Sequence, residues 1–206
     1  MKKLSRKERE KYRHRSEILQ VAETVFSKKG FYKSTMREIA RKAEFATATI
    51  YKFFKNKEDL YARVILEKTD EFINFVKTEV SKETNIVMKV EKSIEAKVSF
   101  FLANVPFVKI YFAETRGGSY SIHVSLDKEI RSKYEDFLHF VAQLFSEGIN
   151  DSTFVKVDPY DLSLALDGLT NAFLFFWLES MNGSKEWLLN KIPVIKKMFF
   201  EQVRLK

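Results

Sequence analysis

The 206-residue chain contains no cysteine, which excludes disulfides, thiolate metal sites and cysteine nucleophiles. Its three imidazoles, His14, His123 and His139, share no HExxH or comparable spacing, so the sequence offers no metal site and no catalytic constellation. Six glycines and three prolines supply neither a linker nor a glycine-rich phosphate cradle. The longest apolar run, Ala172 to Leu178, is seven residues long, where a membrane span needs about twenty. Residues 1–15 are charged, and no apolar segment of the signal-peptide kind follows them. These absences predict an all-α, cytoplasmic chain that is not an enzyme, holds no cofactor and has no membrane partner.

What is present is charge, unevenly placed. Residues 1–60 hold 17 Lys and Arg against 8 Asp and Glu, a surplus of nine, whereas the whole chain carries +8. The cationic excess therefore lies entirely in the first third, as in a domain that binds a polyanion. Residues 1–15 alone carry eight of these cations. They read equally as a flexible basic arm, a disordered tail, or an extension of the first helix along phosphates.

Helical periodicity begins at about Ser16 and runs to Lys29, with Ile18, Leu19, Ala22, Val25 and Phe26 as its apolar stripe and Gly30 as its C-cap. The stretch Thr35 to Asp59 then reads as two short helices and a tight turn feeding a third, longer helix. A capping box is expected at its start, Thr35 accepting from the Glu38 N–H and the Glu38 carboxylate reaching back. Met36, Ile39, Ala40 and Ala43 face inward, and Arg37, Arg41 and Lys42 face out. After Glu44-Phe45-Ala46, a helix of about two turns is predicted over Thr47–Phe54. Ile50 and Phe54 anchor it, and Thr47, Thr49, Tyr51 and Lys52 face away. Compact polar tips on an apolar anchor suit a helix that enters a major groove.

At these residues the sequence resembles the tetracycline-repressor family of bacterial transcriptional regulators. The resemblance is strongest in Thr49-Ile50-Tyr51-Lys52-Phe53-Phe54-Lys55-Asn56-Lys57-Glu58-Asp59-Leu60 and extends from about Arg15 to Leu66. Four positions depart from the pattern: Glu44 for a turn glycine, Ala46 for a capping serine, Ala48 for a glycine, and Phe53 for tyrosine or histidine. Glu44 is tolerable there if it is not forced to positive φ. With Ala46 unable to cap, Thr47 is the nearer cap, which would shift the helix start by one residue. The resemblance implies a helix-turn-helix domain over 1–60 and an effector-binding and dimerisation domain over 61–206. It also implies DNA contacts at Thr35, Arg37, Thr47, Ala48, Thr49, Tyr51, Lys52 and Lys57, with Thr35 and Lys57 on phosphate.

Beyond Asn56, the cap of the third helix, the pattern stays helical. Helices are expected over 85–105 and 107–116, then one ending near Gly148, with Pro106 as a break. Asp158 and Pro159 open a helix to Leu178 that is apolar on two faces and so needs partners on two sides. Ser184 caps the last helix, which Pro193 kinks or splits. The resemblance makes these last two helices a dimer interface and places an effector pocket among the rest.

Fifteen of the twenty phenylalanines lie beyond residue 70, and such stripes are core more often than ligand box. Phe101, Phe112, Phe137 and Phe173, with Tyr111, Arg116, Tyr120, Asn171 and Trp177 as polar partners, are the residues expected to line the pocket. The segment ending at Arg116 loosely resembles the corresponding region of acyl-CoA-responsive members, which implies a small apolar effector of long-chain acyl type. Two other readings compete: a regulator answering planar or cationic drugs, and a non-specific basic protein of nucleic-acid or membrane surfaces.

Overall fold

The computed structural model describes residues 5–116, 124–181 and 183–205, the side chains of 114–116 and 124–127 excepted. Ten helices are present among them: α1 (Arg6–Lys29), α2 (Met36–Lys42), α3 (Thr47–Ile50), α4 (Lys57–Val80), α5 (Ile86–Ala103), α6 (Val105–Arg116), α7 (Val124–Asn150), α8 (Pro159–Ser180), α9 (Lys185–Leu189) and α10 (Ile192–Val203). The all-α architecture follows from the periodicity. The one extended pairing among the described residues is an isolated bridge between Phe154 and Arg204. The chain divides into two compact units, Met1–Lys68 with Pro106–Asp127, and Thr69–Val105 with Lys128–Lys206.

In the first unit α1 begins ten residues before Ser16. Ser5 and Glu8 form a full capping box, the Glu8 carboxylate accepting the Ser5 N–H at 2.8 Å. Of the three readings of the basic N-terminal segment, the helical extension is the one found from Arg6 onward. Ile18, Ala22, Val25 and Phe26 are buried on α1, and Gly30 ends it at φ 73°. Phe26 and Phe31 meet the ring of Tyr61 on α4 at 4.9 and 5.1 Å. Arg15 closes the same packing with a bidentate ion pair to Glu67.

The capping box at Thr35 forms only by half. Thr35 accepts from the Glu38 N–H at 3.1 Å. The Glu38 carboxylate instead pairs with Lys29 at 2.7 Å and Lys42 at 3.3 Å. The hydrogen bond from Lys29 holds Glu38 below the usual carboxylate range. α2 closes in a left-handed turn: Glu44 sits at φ 59°, and the Phe45 N–H donates to the Ala40 carbonyl at 3.0 Å. Glu44 therefore does occupy the positive φ that its missing glycine would have taken without strain.

In the second unit the half of α4 beyond Thr69 packs with α5 and α7 through an aromatic cluster. Phe72 lies 5.5, 5.3 and 5.0 Å from Phe100, Phe101 and Phe137. Asp158 caps α8, its carboxylate accepting from Tyr160 N–H at 2.8 Å. Pro193 splits the last helical segment in two, as its missing N–H requires. α10 is bound to α5 by Lys196, whose ammonium lies 2.8 Å from Glu91 and 2.6 Å from Glu95. Gly148 lets the ring of Phe154 pack against the backbone of α7, since a Cβ there would lie 2.3 Å from Phe154 Cδ2.

Candidate nucleic-acid interface and the polar cluster of the second unit

The segment Thr47–Phe54, here the recognition segment for the role the sequence predicts, is shorter as regular helix than expected. α3 is one turn, Thr47–Ile50, with Ala46 still in the cap position and no side chain satisfying the turn. Thr47 thus does not take over the cap. Beyond Ile50 the chain continues through tighter bonds, Lys52 N–H to Thr49 at 3.1 Å and Phe53 N–H to Ile50 at 2.9 Å. The compensation for an uncapped start lies beneath it: Ile50 and Phe54 are 0% and 1% exposed. They seat the segment on α2, whose Met36, Ile39 and Ala40 are buried as well.

Over that anchor the predicted contact residues fall into two groups. Thr35, Arg37, Ala48, Tyr51 and Lys52 are exposed, and Thr47 and Thr49 are half-buried with them. Tyr51 is 52% exposed, far beyond what a core tyrosine shows. Lys57 is different. Its ammonium donates to the carbonyls of Phe31 at 2.9 Å and Ser34 at 3.0 Å, which ties the α1–α2 loop to the first residue of α4. Two of its three N–H donors are committed there, and the ammonium stands over the Phe31 ring.

The residues proposed for a ligand are not brought together as one set. Phe101, Phe137 and Asn171 converge in the second unit. Tyr111 and Phe112 lie on the part of α6 that clusters with the first unit. The Arg116 side chain and Tyr120 lie outside the described residues. Phe173 is half-buried on α8; Trp177 is fully buried, and its Nε1 has no acceptor among the described residues.

What Phe101, Phe137 and Asn171 surround is a buried ion pair that the periodicity does not predict. Lys97 of α5 donates to Asp167 at 2.5 Å and to Asn171 at 2.7 Å, both on α8. Asp167 also accepts from Tyr134 of α7 at 2.8 Å and from Asn171 Nδ2 at 2.7 Å. Every bond of the pair is internal, and the Lys97 and Asp167 side chains are 7% and 3% exposed. Burial, followed by the charge of Asp167, raises the Tyr134 hydroxyl above the ordinary tyrosine range. The rings of Phe101 and Phe137 stand 5.9 and 5.8 Å from the Lys97 ammonium. The space beside the pair, lined by Ser93, Phe137, Ser163 and Thr170 among others, measures about 10 Å³, enough for roughly one water. The signal for this cluster is present in the sequence: Lys97 and Asp167 each interrupt an inward-facing stripe, beside Ile94 and Phe101 and beside Leu166 and Leu174.

Residues 18–64, which contain α2, α3 and the start of α4, match the family model described as bacterial regulatory proteins, tetR family. Over these residues the chain carries a domain of tetR-family type. The relatives it matches include HTH-type transcriptional regulators. An HTH-type transcriptional regulator of Bacillus subtilis (strain 168), YfiR, is 26% identical over 156 residues, 72% of each chain. The fatty acid metabolism regulator protein of the same organism is 25% identical over 133 residues, 65% of this chain and 66% of that one. The fold is also that of the regulator FadR from Bacillus subtilis, solved in complex with stearoyl-CoA: TM-score 0.78, 22% identity, 89% of this chain and 96% of that chain. No single described helix is long and apolar enough to cross a membrane.

Proposed function

We propose that the protein is a homodimeric repressor that reads a near-palindromic operator and releases it on binding a small apolar effector of the long-chain acyl class. In this reading residues 1–60 bind DNA and residues 61–206 bind the effector and dimerise. The observation that carries the DNA assignment is the exposed row Arg37, Ala48, Tyr51 and Lys52 over the buried Ile50–Phe54 anchor. An apolar base with short polar tips is what a groove-reading helix requires. Thr35, Thr47 and Thr49 complete the contact set, with Lys57 on phosphate.

Dimerisation is supported by an uncovered apolar face. Leu164, Gly168, Ala172 and Phe176 recur every four residues along α8, all exposed, Leu164 at 46% and Phe176 at 47%. Val194 and Met198 on α10 are exposed too. A Cβ at Gly168 would meet nothing within 4 Å in one chain, so the glycine leaves room for a facing helix.

The effector assignment is supported by the aromatic interior of the second unit and by the relatives named for fatty acid metabolism and solved with stearoyl-CoA. With about 10 Å³ beside Lys97, a chain-like ligand has to part α5, α7 and α8. α4 then transmits the change, being one helix shared by both units. Coupling of about 1–3 kcal/mol between ligand and DNA is the usual scale. Titrating the DNA complex with stearoyl-CoA, free stearate and a planar cationic dye tests the effector class. Release by the acyl compounds is expected; release by the dye alone removes the acyl assignment.

A further inference from the structure

The first two turns of α1 carry a pattern that the helix-turn-helix itself does not explain. With 3.6 residues per turn, Lys7, Lys11, His14, Ile18, Ala22 and Val25 fall on one stripe of α1, spaced at four, three, four, four and three. From Ile18 onward this stripe is buried. At His14 it still touches the helix-turn-helix: the imidazole meets the ring of Phe45, in the turn just before α3, at 5.0 Å. Arg15, the next residue, lies over Phe54 at the end of the recognition segment. The stripe therefore follows the helix-turn-helix as far as His14 and then continues past it as Lys11 and Lys7. Both lysines are exposed, and neither has an ion-pair partner among the described residues. By contrast, Arg13 on another face pairs with Glu17, and Arg15 with Glu67.

We infer that the N-terminal turns of α1 form a second DNA-contact element, with Lys7 and Lys11 on the phosphates that flank the bases read by α3. The inference rests on the reading of the helix-turn-helix as the DNA interface. An apolar stripe that turns cationic where its protein partner ends calls for a partner of opposite charge, and the surface next to the turn before α3 is where the duplex lies. From His14 to Lys7 the helix advances about 10 Å at 1.5 Å per residue. Duplex DNA offers about one phosphate per 1.7 Å of axis over that length. The capping box at Ser5 and Glu8 keeps these turns helical, which holds both lysines on the stripe face.

The test uses the full chain and a duplex selected from a random-sequence pool, prepared with long flanks and again trimmed to the bases read. For the double variant Lys7→Gln, Lys11→Gln, the dependence of log affinity on log salt is expected to fall by about 0.9 for each phosphate released, so by about two per protomer. The order of preference among selected sequences should stay as in the wild type. Trimming the flanks should weaken the wild type and leave the double variant nearly unaffected. Arg13→Gln, on the other face, should change the slope by clearly less. If the double variant keeps the wild-type slope and flank dependence, the inference falls while the helix-turn-helix assignment stands. If the wild type itself prefers no sequence, the underlying reading of the interface falls instead.

Discussion

The Lys57 ammonium donates to the Phe31 carbonyl at 2.9 Å and stands 4.1 Å from the centre of the same residue's ring. One side chain thus fixes the loop after α1 against the first turn of α4, beside the recognition segment. Charge-assisted hydrogen bonds of this kind contribute about 1.5–3 kcal/mol each. Lys57→Met should lower unfolding stability by roughly that amount for the pair, more than neutralising the exposed Lys52 would. Its proposed phosphate contact predicts a fall of about one in the salt slope of DNA binding. Reduced stability with an unchanged slope would assign Lys57 wholly to the loop.

Glu44 offers a gain. A non-glycine residue at φ 59° costs of order 1–3 kcal/mol, offset by the extra freedom glycine gives the unfolded chain, about 0.4–1 kcal/mol. Glu44→Gly should therefore be neutral to stabilising by about 1 kcal/mol, and Glu44→Val clearly destabilising. Chemical denaturation of the two variants checks the sign. A marked loss with glycine would show that the left-handed turn is not what limits this site.

The Lys97–Asp167 pair predicts strong non-additivity. Lys97→Met leaves Asp167 buried with only neutral partners, and breaking such a pair costs about 3–5 kcal/mol. The double variant Lys97→Met, Asp167→Leu should recover much of that loss. A double-mutant cycle in denaturant measures it; additive losses would contradict the packing described. The Tyr134 hydroxyl adds a pH signature. Its raised pKa gives a contribution that is complete below the ordinary tyrosine value of about 10 and is lost above it. Tyr134→Phe should remove that alkaline component.

Gly168→Leu should weaken the proposed dimer, because the new side chain would stand in the open space along Leu164, Ala172 and Phe176. Sedimentation at micromolar concentration should show dissociation, with each chain still helical. A dimer unaffected by this change and by Met198→Glu would move the interface off α8 and α10.

The parts of this fold legible in the sequence are those set by neighbours in the chain. Gly30, Asn56, Asp158 and Pro193 punctuate helices where the residues themselves demand it, and the Ile50–Phe54 spacing suffices to seat the recognition segment. Ser5 and Glu8 carry an equally local signal in a segment whose charge suggests disorder as readily as helix. The half-formed box at Thr35 is not local: Lys29, nine residues before Glu38, competes for the carboxylate. The pairing of Lys97 with Asp167 spans 70 positions, a distance over which periodicity tells that a face is buried but not which side chains meet. The same holds for the ligand residues, of which Phe101, Phe137 and Asn171 gather round that pair while Tyr111 and Phe112 lie in the other unit.

The central claim is that the face made by Arg37, Thr47, Thr49, Tyr51 and Lys52 reads base sequence. The most direct measurement is the affinity of the full chain for its selected duplex and for a scrambled duplex of the same length and composition, at one physiological salt concentration. The account predicts a preference of about a thousandfold or more for the selected duplex, with Arg37→Ala flattening discrimination by about 1–3 kcal/mol for each base it no longer reads. Equal affinity for both duplexes, unchanged by Arg37→Ala, would contradict it.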